Sequence, residues 1–357
     1  MKLQPEWSFR SSYGSAKARR VEGEAEASFS FHLAPGFSVT ALAKWERAKL
    51  SDRGDSVFGG NAAFLEEFNA AYDTGMWSLR VGKQTLGSFG RAWEEHPGIF
   101  AKDFAEDYKL GEALGIGAGI VVADDADLGR HRLDAAWFMR DNTVLSNSVL
   151  ARPTRGGFLT ERPSRLRYED GGAGNTRAPA SWMATLRGGE FGPLPGLSYG
   201  VGHMTLGRGT ARDTGRATDE HRHVAHLAYE VEVAKGATLT PLVEWARIRN
   251  ADFDGTDPAT GAPVFGRSDY VTVLLIGRWD GWAAVAGTTA RANSQPAAAG
   301  PLTRDHLYHA SLEHYFTNGV TLGLGWKRER QPIAIDPSGG AGRIDTLGAL
   351  ARYVVEF

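Results

Sequence analysis

Apolar residues alternate with polar or very small residues along most of the chain, with a period of two. Between Leu114 and Val122 the apolar side chains stand at the even positions, and glycine occupies most of the odd ones. The segments from Ala25 to Leu33 and from Val320 to Trp326 follow the same rule. Helical periodicity is nearly absent. This alternation predicts β-strands with one apolar face and one polar face.

The pattern predicts sixteen strands, separated by turn-forming or polar segments. They lie near residues 7–13, 24–33, 37–47, 63–73, 76–84, 113–123, 131–141, 181–189, 196–205, 221–233, 237–248, 269–279, 281–291, 306–316, 320–329 and 344–357. Their connections alternate in length. The short ones lie at 34–36, 74–75, 124–130, 190–195, 234–236, 280 and 317–319. The long polar ones lie at 48–62, 85–112, 142–180, 206–220, 249–268, 292–305 and 330–343.

Short turns at one end and long loops at the other are typical of a transmembrane antiparallel up-and-down β-barrel, whose short turns face the periplasm. An even number of strands places both termini at the periplasmic end. A soluble sandwich or propeller has no reason to alternate its connections in this way. The predicted fold is therefore all-β, a single outer-membrane barrel over residues 1–357 whose apolar strand faces meet lipid.

The composition agrees with a barrel and excludes several other classes. No apolar run reaches the ~18 residues that a transmembrane helix needs. A negative mean hydropathy is expected, because only alternate strand residues meet lipid. The absence of cysteine excludes disulfides, thiol catalysis and thiolate metal sites. A net charge of −2 gives no electrostatic case for nucleic acid.

The start of the chain and the tryptophans bear on the compartment. Met1 and the residues after it lack the apolar core of a secretory signal. We expect a mature sequence that carries an initiator Met, and a cytosolic protein is the alternative. Nine tryptophans fall near predicted strand ends, where an indole prefers the lipid–water boundary, although ordinary core packing is the alternative. They are Trp7, Trp45, Trp77, Trp137, Trp182, Trp245, Trp279, Trp282 and Trp326.

The last predicted strand resembles the carboxy-terminal signal of Gram-negative outer-membrane proteins. Ala349, Ala351, Tyr353, Val355 and Phe357 share one face, and the chain ends on the aromatic residue. In that family the signal is recognised by the barrel-assembly machinery. The resemblance implies that Tyr353, Val355 and Phe357 direct membrane assembly, and that this strand closes the barrel against the strand near Trp7 and Phe9.

The segment Trp77–Gln84 resembles the strand end that precedes the third, constricting loop of many porins. The resemblance to porins extends over nearly the whole chain as a layout, and the phosphate-selective type is one candidate subfamily. It implies that residues 85–112 fold into the lumen. It also implies a possible homotrimer, since porins of this size are often trimers.

Charged residues on the polar strand faces are candidates for lining a water-filled channel, which a barrel of about sixteen strands leaves open. The basic ones are Arg80, Arg132, Arg140 and Arg187 on the predicted fifth to eighth strands. Glu230 and Glu244 lie on the tenth and eleventh, so a transverse field is predicted, with simple wall ion pairs as the alternative. The third loop is expected to face the basic wall with an acidic excess. Its candidates are Arg91, Glu94, Glu95, Asp103, Glu106 and Asp107.

Three further features suggest ligands less specifically. The arginine-rich segment 142–180 could attract anionic solutes or lipopolysaccharide, because guanidinium groups match phosphate and carboxylate, although a solvated extracellular loop is the alternative. Asp252, Asp254 and Asp257 resemble the opening of a calcium loop, but Pro263 replaces its final glutamate. His221 and His223 share a strand face without a third metal ligand.

The sequence therefore predicts an outer-membrane porin for small hydrophilic solutes or ions, without cofactor or bond chemistry. The alternatives are an outer-membrane lipid or peptide hydrolase, for which no Ser, His and acid spacing stands out, and a substrate-specific channel for anions or siderophores. A plugged active transporter needs a barrel of ~22 strands, for which this chain is too short.

Overall fold

Sixteen antiparallel strands form one closed barrel in the computed structural model, which describes residues 1–14, 18–47, 56–57, 61–93, 96–149, 166–209, 218–256, 263–294, 303–331 and 342–357. The strands are β1 Lys2–Gly14, β2 Ala18–Ala34, β3 Phe37–Arg47, β4 Asn61–Asp73, β5 Trp77–Gln84, β6 Ala113–Asp125, β7 Gly129–Arg140, β8 Ser181–Phe191, β9 Leu194–Leu206, β10 Glu220–Tyr229 continued by Val231–Ala234, β11 Ala237–Thr256, β12 Pro263–Trp279, β13 Trp282–Ser294, β14 Thr303–Tyr315, β15 Val320–Gln331 and β16 Gly342–Tyr353 continued by Val355–Glu356.

Each strand pairs with its neighbours in the sequence, and β16 pairs with β1. Trp7 lies opposite Ala351 and Phe9 opposite Ala349, which confirms the predicted closing strand. The amide of Phe357 donates to the carbonyl of Met1 at 3.0 Å, so both termini meet at one end. Closure removes the unpaired sheet edges that an open sheet would expose.

Several strands are longer than the apolar alternation indicates, so some of the predicted connections are wrong in their bounds. The clearest case is 249–268, where β11 continues to Thr256 and β12 begins at Pro263. Asp252 lies opposite Phe265 across this extension. Cross-strand hydrogen bonds satisfy the backbone here without any requirement for apolar side chains, so hydropathy gives no sign of the extension.

The outer face of the barrel carries the apolar residues of the alternation. Leu324 is 67% exposed, Val243 49% and Trp137 56%. In a soluble protein such a surface would be unusually apolar, but it matches lipid in a transmembrane barrel. No helix among the residues described is long and apolar enough to cross a membrane.

Seven short turns lie at the end of the barrel that also carries the termini. The turn between β2 and β3 is tight because it contains Gly36. This residue has φ +76, and a Cβ there would lie 2.6 Å from the carbonyl oxygen of Asp73. Glycine is required because only it tolerates both this backbone conformation and this approach. Residues 85–112 connect β5 to β6 at the opposite, extracellular end.

Candidate functional site

The segment 85–112, here called the constriction loop, folds into the lumen. It leaves β5 and returns to β6, yet its residues contact inward-facing side chains of strands β9 to β16 on the far side of the barrel. Those contacts lie on the strand face opposite the exposed apolar residues, so they are inside the barrel. A short 3-10 helix at Ala105–Asp107 is its only helical element among the residues described. The inward fold predicted for this loop is confirmed.

Glu244 of β11 is the central attachment point of the constriction loop. Its fully buried carboxylate accepts the backbone amides of Arg91 at 2.5 Å and Ala92 at 3.2 Å, and the hydroxyl of Tyr108 at 2.5 Å. Burial and the adjacent Glu244 carboxylate raise the pKa of Tyr108 well above its usual value, so its hydroxyl keeps the proton it donates. Hydrogen bonds to a charged acceptor are stronger than neutral ones, so this carboxylate fixes both limbs of the loop.

Ion pairs attach the end of the loop to neighbouring strands. Lys327 of β15 contacts Asp103 at 2.6 Å, and Arg291 of β13 contacts Asp107 at 2.8 Å. The hydroxyl of Tyr270 also donates to Asp107 at 3.1 Å. These acids therefore bind the wall that carries β12, β13 and β15.

Apolar packing fills the space between the loop and that wall. Phe89, Phe100 and Phe104 of the loop are buried, and Phe89 and Phe104 belong to a cluster that includes Leu274 and Leu307 of the wall. Phe100 lies over two wall glycines: a Cβ at Gly348 would lie 2.8 Å from its ring, and one at Gly325 3.3 Å. Burying aromatic surface is the largest favourable contribution available here, so the loop behaves as a folded part of the wall.

The wall formed by β4 to β8 borders a cavity of about 510 Å³ beside the start of the loop, with a basic cluster of Arg80, Arg132 and Arg187. Asp134 contacts Arg132 at 2.8 Å and Arg187 at 3.1 Å. Among the described residues, Arg80 has no hydrogen bond or ion pair. The structure thus brings together three of the four predicted arginines, and the carboxylates of Glu67, Asp73 and Asp134 line the same cavity.

An acidic cluster occupies the inward face of β2 to β4. Lys44 lies 2.9 Å from Glu24, 3.2 Å from Glu26, 3.1 Å from Glu46 and 3.9 Å from Glu66. Four carboxylates thus share one ammonium group, which leaves a negative surface. Lys102 and Lys109 of the constriction loop act electrostatically on Glu24 and Glu66, respectively.

The other predicted site residues are dispersed. Arg140 lines a second cavity, of about 430 Å³, at the extracellular ends of the strands, together with Asp107 and Arg291. Glu230 lies near the periplasmic end, where Thr240 donates to it at 3.4 Å. Arg91 donates to Ser198 at 2.5 Å, and Glu106 is exposed. Glu94 and Glu95 lie outside the residues described.

The expected acidic loop opposite the arginine wall stays a prediction. Asp103 and Asp107 contact Lys327 and Arg291 on the other wall, and the loop cations lie near the glutamates of β2 to β4. Sequence reasoning missed Glu66. Leu42 of β3 pairs with Glu67 of β4, but the next residue, Ala43, pairs with Leu65, so Glu66 is an extra residue in β4. Such an irregularity breaks the period of two on which the prediction depends.

The weaker ligand motifs lie on strands. Asp252 and Asp254 belong to β11 and Asp257 is outside the described residues, so the calcium motif stays untested. His221 and His223 face outward on β10. Among the residues that the structure describes, no group of three or more His, Asp or Glu is arranged to hold a metal ion.

The residues assigned to membrane assembly lie at the periplasmic end of β16. Tyr353 is exposed on the outer face, and Phe357 is 77% exposed. The strand is interrupted at Val354, whose amide donates to the carbonyl of Gly319 at 3.0 Å. Their role as an assembly signal stays a prediction.

No protein-family model matches the sequence, and no curated protein matches it. Solved structures do match over 99% of the chain. An OmpF of Salmonella typhi in complex with daunomycin has a TM-score of 0.63 at 10% identity, over 97% of its chain. The outer membrane channel DcaP of Acinetobacter baumannii has 0.59 at 9% identity, over 96% of its chain. The trimer form of the outer membrane protein OmpT of Vibrio cholerae has 0.53 at 12% identity, over 99% of its chain.

At these identities the likeness concerns the fold. The inward-folded third loop, the apolar outer face and the end-to-end coverage of outer-membrane proteins agree with one another. The chain therefore has the closed sixteen-stranded β-barrel fold of the outer-membrane porins.

Proposed function

We propose that this protein is an outer-membrane channel for the passive diffusion of small hydrophilic solutes or ions. The observation that carries the proposal is the constriction loop, which is fixed at Glu244 and packed against the β9 to β16 wall. A loop held in this way narrows a barrel without plugging it, and the cavity of about 510 Å³ on the β4 to β8 side lies beside the loop.

The charges on the lumen wall support filtering by electrostatics. The glutamates around Lys44 lie on β2 to β4, whereas Arg80, Arg132 and Arg187 lie on β5, β7 and β8. In a narrow aqueous passage, charged side chains on the wall bias which ions enter. Neighbouring surfaces of opposite sign would also orient dipolar solutes as they pass.

Single-channel recording in planar bilayers tests this function. We expect discrete conductance steps, and a reversal potential in a potassium chloride gradient that responds to neutralisation of either cluster. A folded, membrane-inserted protein that produces no conducting unit would contradict the channel.

A hydrolytic barrel is the alternative reading of the same fold. Incubation of the purified protein with chromogenic lipid and peptide substrates separates the two. Turnover by a non-conducting protein would favour an enzyme, while conductance without turnover supports the channel.

The assembly is proposed to be a homotrimer, supported by the neighbour whose structure is described as a trimer form. Outer-membrane lipid, lipopolysaccharide and the barrel-assembly machinery are the other proposed partners. Cross-linking of the protein in native membranes, followed by mass measurement, tests the oligomeric state.

A further inference from the structure

A basic surface faces outward at the extracellular ends of β9 to β12. In register across these strands, Thr205, His221, Arg249 and Arg267 lie side by side, and the next row holds His203, His223, Arg247 and Asp269. We call these eight residues the basic patch. Neither the lumen nor the constriction loop includes any of them.

The neighbouring row shows that the patch faces the lipid side. It consists of Val201, Ala225, Trp245 and Val271, which lie opposite one another two residues further along the same strand faces. Val201 is 47% exposed and Val271 45%. Side chains two residues apart in a strand share a face, so the patch continues this apolar outer surface toward the extracellular end.

The opposite end of the same strands carries no such charge. The outward positions there hold Leu197, Tyr229, Leu239 and Trp279. The outer surface of these strands is therefore basic only at its extracellular end, and the two ends differ in what they can bind.

Aromatic residues place the patch at the boundary between lipid and water. Trp182 packs against His203 with ring centroids 4.9 Å apart, and the Arg247 guanidinium lies 5.0 Å over the ring of Trp245. Because an indole prefers the lipid–water interface, the cations beside these rings lie at the level of lipid headgroups.

The arginines are arranged to leave positive charge available. Asp269, the only acid in the patch, accepts from Arg247 and Arg267 at 2.5 Å each. Arg249 is exposed, lies between His221 and Arg267 in register, and has no ion pair or hydrogen bond among the described residues. With three arginines and one carboxylate, the patch keeps a positive charge before any histidine is protonated.

The histidines form a network of their own. His203 lies 3.2 Å from His223 between Nδ1 atoms, and the Thr205 hydroxyl lies between His203 at 3.0 Å and His221 at 3.2 Å. Imidazole groups held in this way offer further donors beside Arg249.

We infer that the basic patch binds the phosphate groups of anionic lipid in the outer leaflet, with Arg249 and Arg267 as its principal ligands. Guanidinium groups match phosphate oxygens in bidentate geometry. The adjoining row of exposed valines and Trp245 contacts the acyl chains of the same lipid, a combination that a free anion could not use. The inference depends on the barrel lying in a membrane and does not depend on which solute passes through it.

The test uses the full-length protein in nanodiscs of phosphatidylcholine with a minor fraction of phosphatidic acid, whose phosphate monoester is the probe. The enrichment of phosphatidic acid around the protein is measured by exchange of labelled lipid. We expect enrichment with the wild-type protein, reduced about thirtyfold in R249Q/R267Q, because each cation near an anionic membrane surface contributes roughly a factor of five.

Two matched variants make the result specific. R130Q removes an exposed arginine at the periplasmic end of β7 and should keep the enrichment. R249K/R267K keeps the positive charge but lacks the planar guanidinium group, so it should give an intermediate enrichment of phosphatidic acid. Insertion of each variant is checked by its co-elution with the nanodiscs. Its conductance in pure phosphatidylcholine is measured separately and should be unchanged in R249Q/R267Q, since both residues lie outside the lumen.

Three outcomes would overturn the inference. The first is equal enrichment of phosphatidic acid around wild type and R249Q/R267Q. The second is full displacement of the lipid by inorganic phosphate at the same phosphate concentration, which indicates a free-anion site. The third is a change in oligomeric mass in R249Q/R267Q, which indicates an interface between copies. A failure of conductance in every variant would contradict the channel and leave the lipid result standing.

Discussion

The hydroxyl of Tyr108 donates to the carboxylate of Glu244 at 2.5 Å, across the lumen from the strands that carry the constriction loop. The same carboxylate accepts two backbone amides of the loop's first limb. One buried group on β11 thus fixes two parts of a loop that begins on β5 and ends on β6. This contact holds the loop inside the barrel.

Replacement of Glu244 by alanine should release the loop. Three donors would lose their acceptor in a buried site, at a cost of about 1–3 kcal/mol each. We expect larger and noisier single-channel conductance, and faster hydrogen exchange of residues 89–93. Y108F should have a smaller effect in the same direction, because only one hydrogen bond is lost.

Glu230→Ala is the matched control, since Glu230 lies at the periplasmic end of β10 and does not contact the loop among the described residues. An E244A protein with wild-type conductance and exchange rates would show that apolar packing alone holds the loop.

Neutralisation of Arg80 should reduce anion preference more than neutralisation of Arg187. Arg187 already shares Asp134 with Arg132, whereas Arg80 has no ion pair among the described residues. The reversal potential in a salt gradient should therefore shift toward cation preference in R80Q, and only slightly in R187Q. Equal shifts in the two variants would mean that Asp134 does not compensate its arginines in solution.

Lys44→Gln should change both the ion selectivity of the channel and the stability of the barrel. The four glutamates around it would lose their shared cation, so the channel should become more cation-selective, and the barrel should become less stable because the carboxylates then repel one another. Unfolding by urea in detergent and reversal potentials measure the two effects. Restored stability in K44Q/E46Q would confirm that repulsion between carboxylates is the cause.

Acidification should loosen the constriction loop through His96. Burial lowers the pKa of His96 to about 4, and its Nε2 lies 2.6 Å from the Arg91 carbonyl oxygen. Because the released loop binds this proton with an ordinary pKa of about 6.5, docking should be favoured above that pH and weaken as pH falls from 6.5 toward 4. Hydrogen exchange of the loop across this pH range measures the effect. In H96N the exchange rate should change less between pH 6.5 and pH 4. An unchanged profile in H96N would assign the titration to other groups.

A side chain at Gly348 should displace Phe100 from its place on the wall. A Cβ would lie 2.8 Å from the ring, and overpacking of this kind costs about 1–3 kcal/mol. We expect G348A to lower the unfolding midpoint and to change conductance. The smaller side chain at position 100 in F100L/G348A should leave room for the new methyl group and restore both properties. No recovery in the double variant would show that Gly348 is needed for backbone reasons.

The alternation of apolar and small residues determined the barrel. Sixteen strands, short turns at one end and closure of the last strand on the first all follow from it, because lipid on one face and water on the other impose a period of two on every strand. The Leu114–Val122 segment shows the rule most clearly, and Phe357 extends it to the terminus.

Only the tertiary structure decided what the charges do. Asp103 and Glu244 are both lumen acids by their sequence positions, yet one pairs with Lys327 and the other accepts donors from the loop. The irregularity that adds Glu66 to the cluster around Lys44, and the register that places Arg249 beside Arg267, depend on pairing between strands. A strand pattern fixes which face a side chain occupies, but its partners come from neighbouring strands and from a loop that crosses the barrel.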